Sequence, residues 1–188
     1  LDFSDPQYFG TPGGMGHRYA NFVLQNADLL VVLGSRLDSS LTAWNHANFA
    51  PRAKKIIIDI DPAETDKLDM DIAVRIDGDL AEMLPLLAQE HYEMSAELPA
   101  WQTYCTRMKK KYPIITDEMR AELDYVDAHV FVDELSRQLT ADDVIVPESS
   151  GGAGEITYQA LRVKYGQKVK NAAGLGSMGF GVPYAMGA

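Results

Sequence analysis

The chain of 188 residues carries a net charge of −10, is 46% hydrophobic and contains a single cysteine, Cys105. This balance disfavours a nucleic-acid partner, because phosphate binding draws most of its affinity from lysine and arginine. One cysteine supports neither an internal disulfide nor a cysteine-cluster metal site. The longest apolar run, Leu29 to Leu33, falls far below the roughly 20 residues that span a bilayer, so no membrane partner is expected, and the single cysteine fits a reducing compartment, which makes a cytoplasmic location the expectation.

Leu1 stands where methionine would, without a basic segment leading into an apolar one, and this reads as the interior of a longer protein. Residues 1–16 hold prolines at 6 and 12 and glycines at 10, 13, 14 and 16 with no period, which predicts loop. From Arg18 to Ala27 apolar residues recur at helical spacing, and Asp28-Leu-Leu-Val-Val-Leu-Gly34 follows as a continuous apolar run. The expectation is a short helix leading into a fully buried strand of a parallel sheet.

Gly34, Ser35 and Arg36 leave that strand at its carboxyl end, where open α/β sheets place their ligands. They suit a pyrophosphate, or equally a glycine-ended turn with a surface arginine. A second buried strand, Lys55-Ile-Ile-Ile-Asp-Ile-Asp61, ends on two acids. Asp59 is a candidate acceptor for ribose hydroxyls, while Asp61 before Pro62 also reads as a helix N-cap. Val74-Arg-Ile-Asp-Gly78-Asp79 makes a third short strand with an acid-glycine-acid exit, ahead of an amphipathic helix from Leu80 to Gln89. Three such strand ends converging in a doubly wound parallel sheet predict a nucleotide crevice.

Residues 91–127 carry charge, Pro99 and Pro113, and loosely helical spacing around Trp101, Tyr104, Cys105 and Met108, so an interdomain linker with one helix is expected. The basic run Arg107-Met-Lys-Lys-Lys111 reads as a solvated helix face. His91 and His129 have no second ligand at metal-site spacing, and no metal site is assigned to them. From Val130 the sequence predicts a helix to Leu139, a strand Val144-Ile-Val146, the turn Pro147-Glu148-Ser149-Ser150-Gly151-Gly152 and a helix near Glu155 to Lys164. Two serines and two glycines leaving a strand form a candidate phosphate-binding turn with free amides.

The last fifteen residues, Gly174-Leu-Gly-Ser-Met-Gly-Phe-Gly-Val-Pro-Tyr-Ala-Met-Gly-Ala188, set five glycines among apolar residues. Glycine this dense is placed where the main chain turns sharply, approaches another backbone or lies against a ligand. With Pro183 near the start of a helical turn, the stretch predicts a loop-into-helix ligand site. Gly174-x-Gly176-x-x-Gly179 also satisfies the dinucleotide fingerprint, which leaves a nicotinamide-dependent dehydrogenase open, although no hydride-transfer site is visible. The first hundred residues alone are compatible with a nucleotide-binding regulatory module without chemistry, since they show no convincing nucleophile or acid–base pair.

The closing block resembles the GLGxMGFGxPxAxGA signature that opens the cofactor-diphosphate domain of thiamine-diphosphate enzymes, and is most similar to the acetolactate synthases. The resemblance extends to nearly the whole chain and implies a partial central nucleotide-binding domain at 1–90, a linker at 91–127 and a partial thiamine-diphosphate domain at 128–188. It implies that Gly176, Ser177 and Met178 hold the aminopyrimidine, with the methionine as a wedge under the bent cofactor. It further implies that Ser149, Ser150, Gly151 and Gly152 contact the diphosphate. Gly34, Ser35, Arg36, Asp59, Ile60, Gly78 and Asp79 correspond to segments that hold FAD. Acetolactate synthases usually carry glycine, glutamine and histidine where this chain has Ser-Ser-Gly-Gly. The loop Gly13-Gly-Met-Gly-His17-Arg18 is similar to a flavin-side loop, with Met15 in place of a usual histidine, and Ser39-Ser40 replaces a usual Asp-Arg pair.

The resemblance further implies decarboxylation of a 2-keto acid such as pyruvate and ligation of the resulting enamine to a second carbonyl, within branched-chain amino acid biosynthesis. Other decarboxylases, lyases and oxidases of the same superfamily are the alternatives. Magnesium is implied as a second cofactor, with its motif expected after Ala188, and the activating glutamate on an amino-terminal domain outside these residues. A homodimer or homotetramer is implied for the complete protein, and no activity for these 188 residues alone.

Overall fold

The computed structural model describes residues 2–149, 151–172 and 174–188. The chain divides into two compact α/β units, one comprising Pro12–Gly14 and Arg18–Lys111, the other Leu1–Thr11, Met15–His17 and Tyr112–Ala188.

The first unit contains α1 (Arg18–Asn26), β1 (Leu29–Leu33), α2 (Ser39–Thr42), a 3-10 turn (His46–Asn48), β2 (Lys54–Asp59), α3 (Pro62–Asp66), β3 (Val74–Asp77), α4 (Leu80–Gln89) and α5 (Leu98–Lys111). The three strands form a parallel sheet in the order β1-β2-β3. The order follows the chain without reversal. Each strand exit leads to a helix capped by an aspartate. Asp38 accepts the amides of Ser40 and Leu41, Asp61 that of Ala63 at 2.9 Å, and Asp79 that of Ala81 at 2.8 Å. A carboxylate there satisfies amides that have no partner within the helix and opposes the positive end of its dipole.

Val32 and Ile57 are paired in register and turn to one face, where they meet Leu37, Phe49, Ala50, Ala53 and Leu68. The expectation that β1 is buried throughout is not met. Val32 is buried, whereas Leu29, Val31 and Leu33, which point to the other face, remain 42–52% exposed. A continuous apolar run does not distinguish a strand covered on one side from one covered on both. Within 91–127 the expected helix is α5, which packs on α1 through the stretch containing buried Cys105 and Met108. Residues 112–127 fall in the other unit.

The second unit contains α6 (Asp117–Ala121), α7 (Ala128–Gln138), β4 (Val144–Ile145), α8 (Gly151–Ala160), β5 (Lys168–Val169) and α9 (Gly181–Gly187). β4 and β5 pair in parallel, so α8 is the crossover of a small β-α-β unit. Its core joins Val132, Ala160 and Leu161 to Ile145, Ile156 and Val169. Buried Asp133 of α7 pairs with Arg120, Arg137 and Arg162, which ties α6, α7 and the segment after α8 together. His17 is also buried here. The Thr11 amide donates to its Nδ1 at 2.8 Å, which places the ring proton on Nε2, 3.0 Å from the Gln159 carbonyl oxygen.

Helix α8 begins four residues before the predicted start at Glu155. Consecutive glycines are poor helix formers and argue for a later start. The packing explains why they are tolerated: a Cβ on Gly154 would lie 2.4 Å from the carbonyl oxygen of Glu148, so this helix face meets the incoming chain closely. Among the described residues no helix is long and apolar enough to cross a membrane.

Candidate functional site

The turn after β4 and the glycine-rich loop before α9 are joined. Glu148 accepts the Ser149 amide at 2.9 Å and the Phe180 amide at 3.1 Å on Oε1, and the Gly181 amide at 3.4 Å on Oε2. The Ser149 amide is the main cause holding the Glu148 carboxyl below its ordinary value; burial acts against it, and the amides of Gly181, Phe180 and Gly179 add to it. Ser149 is buried, and its hydroxyl oxygen accepts the Ala172 amide at 2.9 Å. The loop from Ala172 to Gly181 is therefore fastened at both ends to residues 148 and 149.

Between those fastenings the chain is open. Gly176 and Gly179 have positive φ (60° and 76°), which glycine alone adopts without strain. A Cβ added to Gly174, Gly176 or Gly179 would meet nothing within 4 Å. Gly181 differs, since its Cβ would touch Glu148 and the Pro147 carbonyl oxygen at 3.5 Å. Gly181 thus lies in ordinary contact with its neighbours, whereas the other three have open space beside the backbone. Ser177 is exposed and Met178 is 89% exposed, projecting from this segment.

Gly151 and Gly152, expected in a turn, form the first residues of α8. Gly151 has φ +70°, and a Cβ added there would also meet nothing within 4 Å. The first-turn amides of an α-helix lack intrahelical acceptors, so the move from turn to helix start keeps the donors that suit a phosphate. Ser150 lies outside the described residues. The residue that joins the two segments, Glu148, carries no motif of its own in the sequence. Its signal is an acid three residues after a strand, ahead of a later glycine-rich segment whose amides need an acceptor.

The residues that the resemblance assigns to a nucleotide gather at the carboxyl edge of the three-stranded sheet. The Gly34 amide donates to the Ile58 carbonyl, and the Gly78 amide to the Asp59 carbonyl, each at 2.9 Å, which sets the three strand exits side by side. Gly34, Arg36, Asp59, Gly78 and Asp79 also have intramolecular partners. Gly34 has φ +58°, and a Cβ on it would lie 2.9 Å from Leu80 Cδ1. Arg36 donates from Nε to Glu64 at 3.0 Å while its side chain stays 74% exposed. Asp59 is buried and accepts the Asp61 amide at 3.0 Å, and Asp79 caps α4. Ser35 is half-buried, Ile60 is 68% exposed, and Gly78 lies against Met83. In the Gly13 loop, Asn21 clamps Gly13 through two hydrogen bonds of 2.8 and 3.0 Å. Among the described residues no group of histidine, cysteine, aspartate and glutamate is arranged to hold a metal ion.

Comparison with known proteins adds identity to this geometry. Residues 1–87 match the family model described as "Thiamine pyrophosphate enzyme, central domain". The chain is 32% identical to an acetolactate synthase of Mycobacterium bovis over 98% of its own length and 30% of the relative's. It is 33% identical to the acetolactate synthase isozyme 2 large subunit of Escherichia coli, covering 97% of this chain and 31% of that one. The large subunit from Corynebacterium glutamicum is likewise 33% identical, over 96% of this chain and 29% of its own length. The chain thus spans about three-tenths of the length of the curated relatives it matches.

Proposed function

We infer, from a chain that belongs to the thiamine pyrophosphate enzyme family, that it is part of an acetolactate-synthase-like carboligase and that its second unit contributes to binding thiamine diphosphate. The observation that carries this is the unfilled glycine backbone at 174–179, tied through Glu148 to the first turn of α8. In this reading Ser149, Ser150, Gly151 and Gly152 serve the diphosphate end, and Gly176, Ser177 and Met178 the aminopyrimidine end. The positive φ of Gly151, Gly176 and Gly179, with open space where side chains would stand, fits a group that approaches the main chain closely. When bound, thiamine diphosphate supplies the nucleophilic carbon and electron sink for decarboxylating a 2-keto acid such as pyruvate and joining the remainder to a second carbonyl. This chain's residues hold and orient, and no catalytic acid or base is assigned among them.

Magnesium accompanies the diphosphate in this proposal, and the complete protein acts as a cytoplasmic homodimer or homotetramer in branched-chain amino acid biosynthesis. The 188 residues alone are inactive. Calorimetric titration of the complete protein with thiamine diphosphate and magnesium is the test. Saturable binding supports the reading, and binding of NAD without thiamine diphosphate sinks it.

A second site is supported by the alignment of three strand exits at one sheet edge. We propose that this edge, part of a doubly wound Rossmann-like domain, takes FAD or ADP. Gly34, Ser35, Ile60 and Gly78 lie against the nucleotide, Arg36 meets its phosphates, and Asp59 and Asp79 brace the loops. Titration with FAD and with ADP separates a flavin from an adenine nucleotide alone.

A further inference from the structure

We propose that Glu148 is a positioning residue that locks the turn after β4 to the glycine-rich loop, so that the two backbone segments assigned to opposite ends of thiamine diphosphate are held as one body. This rests on the functional reading above. The lock has a side-chain part and a main-chain part. The carboxylate receives amides from both segments, Ser149 on one and Phe180 and Gly181 on the other. A charged acceptor is suited to this, because it has lone pairs for several donors and forms stronger hydrogen bonds than a neutral one.

The main chain of Glu148 is gripped as well. It passes between Gly154 of α8, where a methyl group would fall 2.4 Å from the Glu148 carbonyl oxygen, and Gly181 of α9, where one would rest in van der Waals contact with it at 3.5 Å. The Ser149 hydroxyl holds the near end of the loop through the Ala172 amide. The Gly181 amide, the first of α9, is therefore taken up by Glu148. Between Ala172 and Phe180 the described backbone hydrogen bonds are those of Leu175 and Gly176 to the Ala172 carbonyl, each 2.9 Å. The register of the exposed Met178 segment thus depends on its two ends.

The test uses the complete protein with Glu148→Ala and Glu148→Gln, and two readouts. Hydrogen exchange of the peptide covering Phe180 and Gly181 reports the lock without any cofactor, and calorimetry reports thiamine diphosphate affinity in the presence of magnesium. Loss of a charged acceptor in Glu148→Ala is expected to accelerate exchange on the order of tenfold and to weaken the cofactor by a similar factor. The α7 peptide should be unchanged. Glu148→Gln, equal in volume and retaining one oxygen, is expected to recover only part of both effects, whereas a packing role would be restored in full. Unchanged exchange in both variants overturns the lock, and faster exchange with unaltered cofactor affinity overturns the positioning role. Absence of thiamine diphosphate binding by the unmodified protein sinks the functional reading instead, and the exchange result still decides whether the two segments are coupled.

Discussion

Arg162 donates its Nε to the buried carboxylate of Asp133, 29 residues earlier in the chain, and Arg120 and Arg137 converge on the same group. A carboxylate 1% exposed is tolerable only with such partners. Asp133→Ala strands three guanidinium groups around an empty position. The cost is expected to be about 1–3 kcal/mol, because charged hydrogen bonds are lost while the guanidinium groups, 35–50% exposed, can turn to water. Urea unfolding of both proteins measures it, and a difference below about 1 kcal/mol would mean that the node is replaceable by water.

The same carboxylate sets a pH dependence. Burial pushes the Asp133 carboxyl up, but hydrogen bonds from Arg120 and Arg162, with their charges, outweigh it and hold the group below its usual value. A carboxyl depressed in the folded state contributes stability that is present above the unfolded value, about 3.9, and is lost as pH falls through the folded one. The thermal midpoint of the wild type is expected to drop more steeply than that of Asp133→Asn below about pH 4. Parallel curves would remove Asp133 as the source.

Two glycines of α8 should respond in opposite ways. Gly154→Ala forces a methyl group onto the Glu148 carbonyl, backbone against backbone, and overpacking of this kind costs about 1–3 kcal/mol. Gly152→Ala meets only Ile156 Cδ1 at 3.9 Å, and gains up to about 1 kcal/mol of helix propensity. Gly152→Ala should also weaken thiamine diphosphate, because the methyl group occupies space beside the proposed diphosphate turn. A variant that is more stable and binds the cofactor as well as the wild type would remove Gly152 from the site.

Met178 separates folding from function. It is 89% exposed, so Met178→Ala is expected to change stability by less than about 0.5 kcal/mol. If it is the wedge under a bent cofactor, turnover in the complete enzyme should fall about tenfold or more through lost alignment of the reacting atoms. Steady-state kinetics beside a melting curve distinguishes the two effects.

At the sheet edge, Arg36→Ala removes a mostly exposed ion pair with Glu64, worth about 0–1 kcal/mol to the fold. Its expected effect is on FAD or ADP affinity, by about 1.5–3 kcal/mol if it meets the phosphates. Asp59→Ala should lower both affinity and stability, because the buried carboxylate closes the turn on Asp61. Calorimetry with unchanged affinity in both variants would remove the nucleotide from this edge.

The long elements were legible because their apolar spacing and caps agree. The predicted Leu80 to Gln89 helix is α4 to the residue, and Asp61 before Pro62 caps α3 as its position implies. What escaped was decided by tertiary contact. β5 is two residues, Lys168 and Val169, with no periodicity to read, and exists because β4 pairs with it. The early start of α8 depends on Gly154 lying against Glu148, 6 positions back but across a turn whose path the sequence does not display. The glycine-rich closing segment was recognisable as sharply turning backbone, and Gly176 and Gly179 do have positive φ. The acid that fastens it was not, since an aspartate or glutamate after a strand has many uses, among them the caps at Asp38, Asp61 and Asp79.

The second side of the three-stranded sheet, where Ile58 of the central strand is buried but the apolar residues of β1 are not, bears on how this polypeptide behaves in the test tube. Leu29, Val31, Leu33 and Val74 share that side, and Leu84 and Leu86 of α4 are also exposed. Oily surface beside the unpaired edge of β1 is an invitation to self-association. Handled by itself, the polypeptide should bind a hydrophobic fluorescent dye while folded, and lose solubility as salt screens its charge of −10. Lysine at Val31 should then relieve precipitation and dye binding together, while the buried side of β1, built on Val32, keeps its packing.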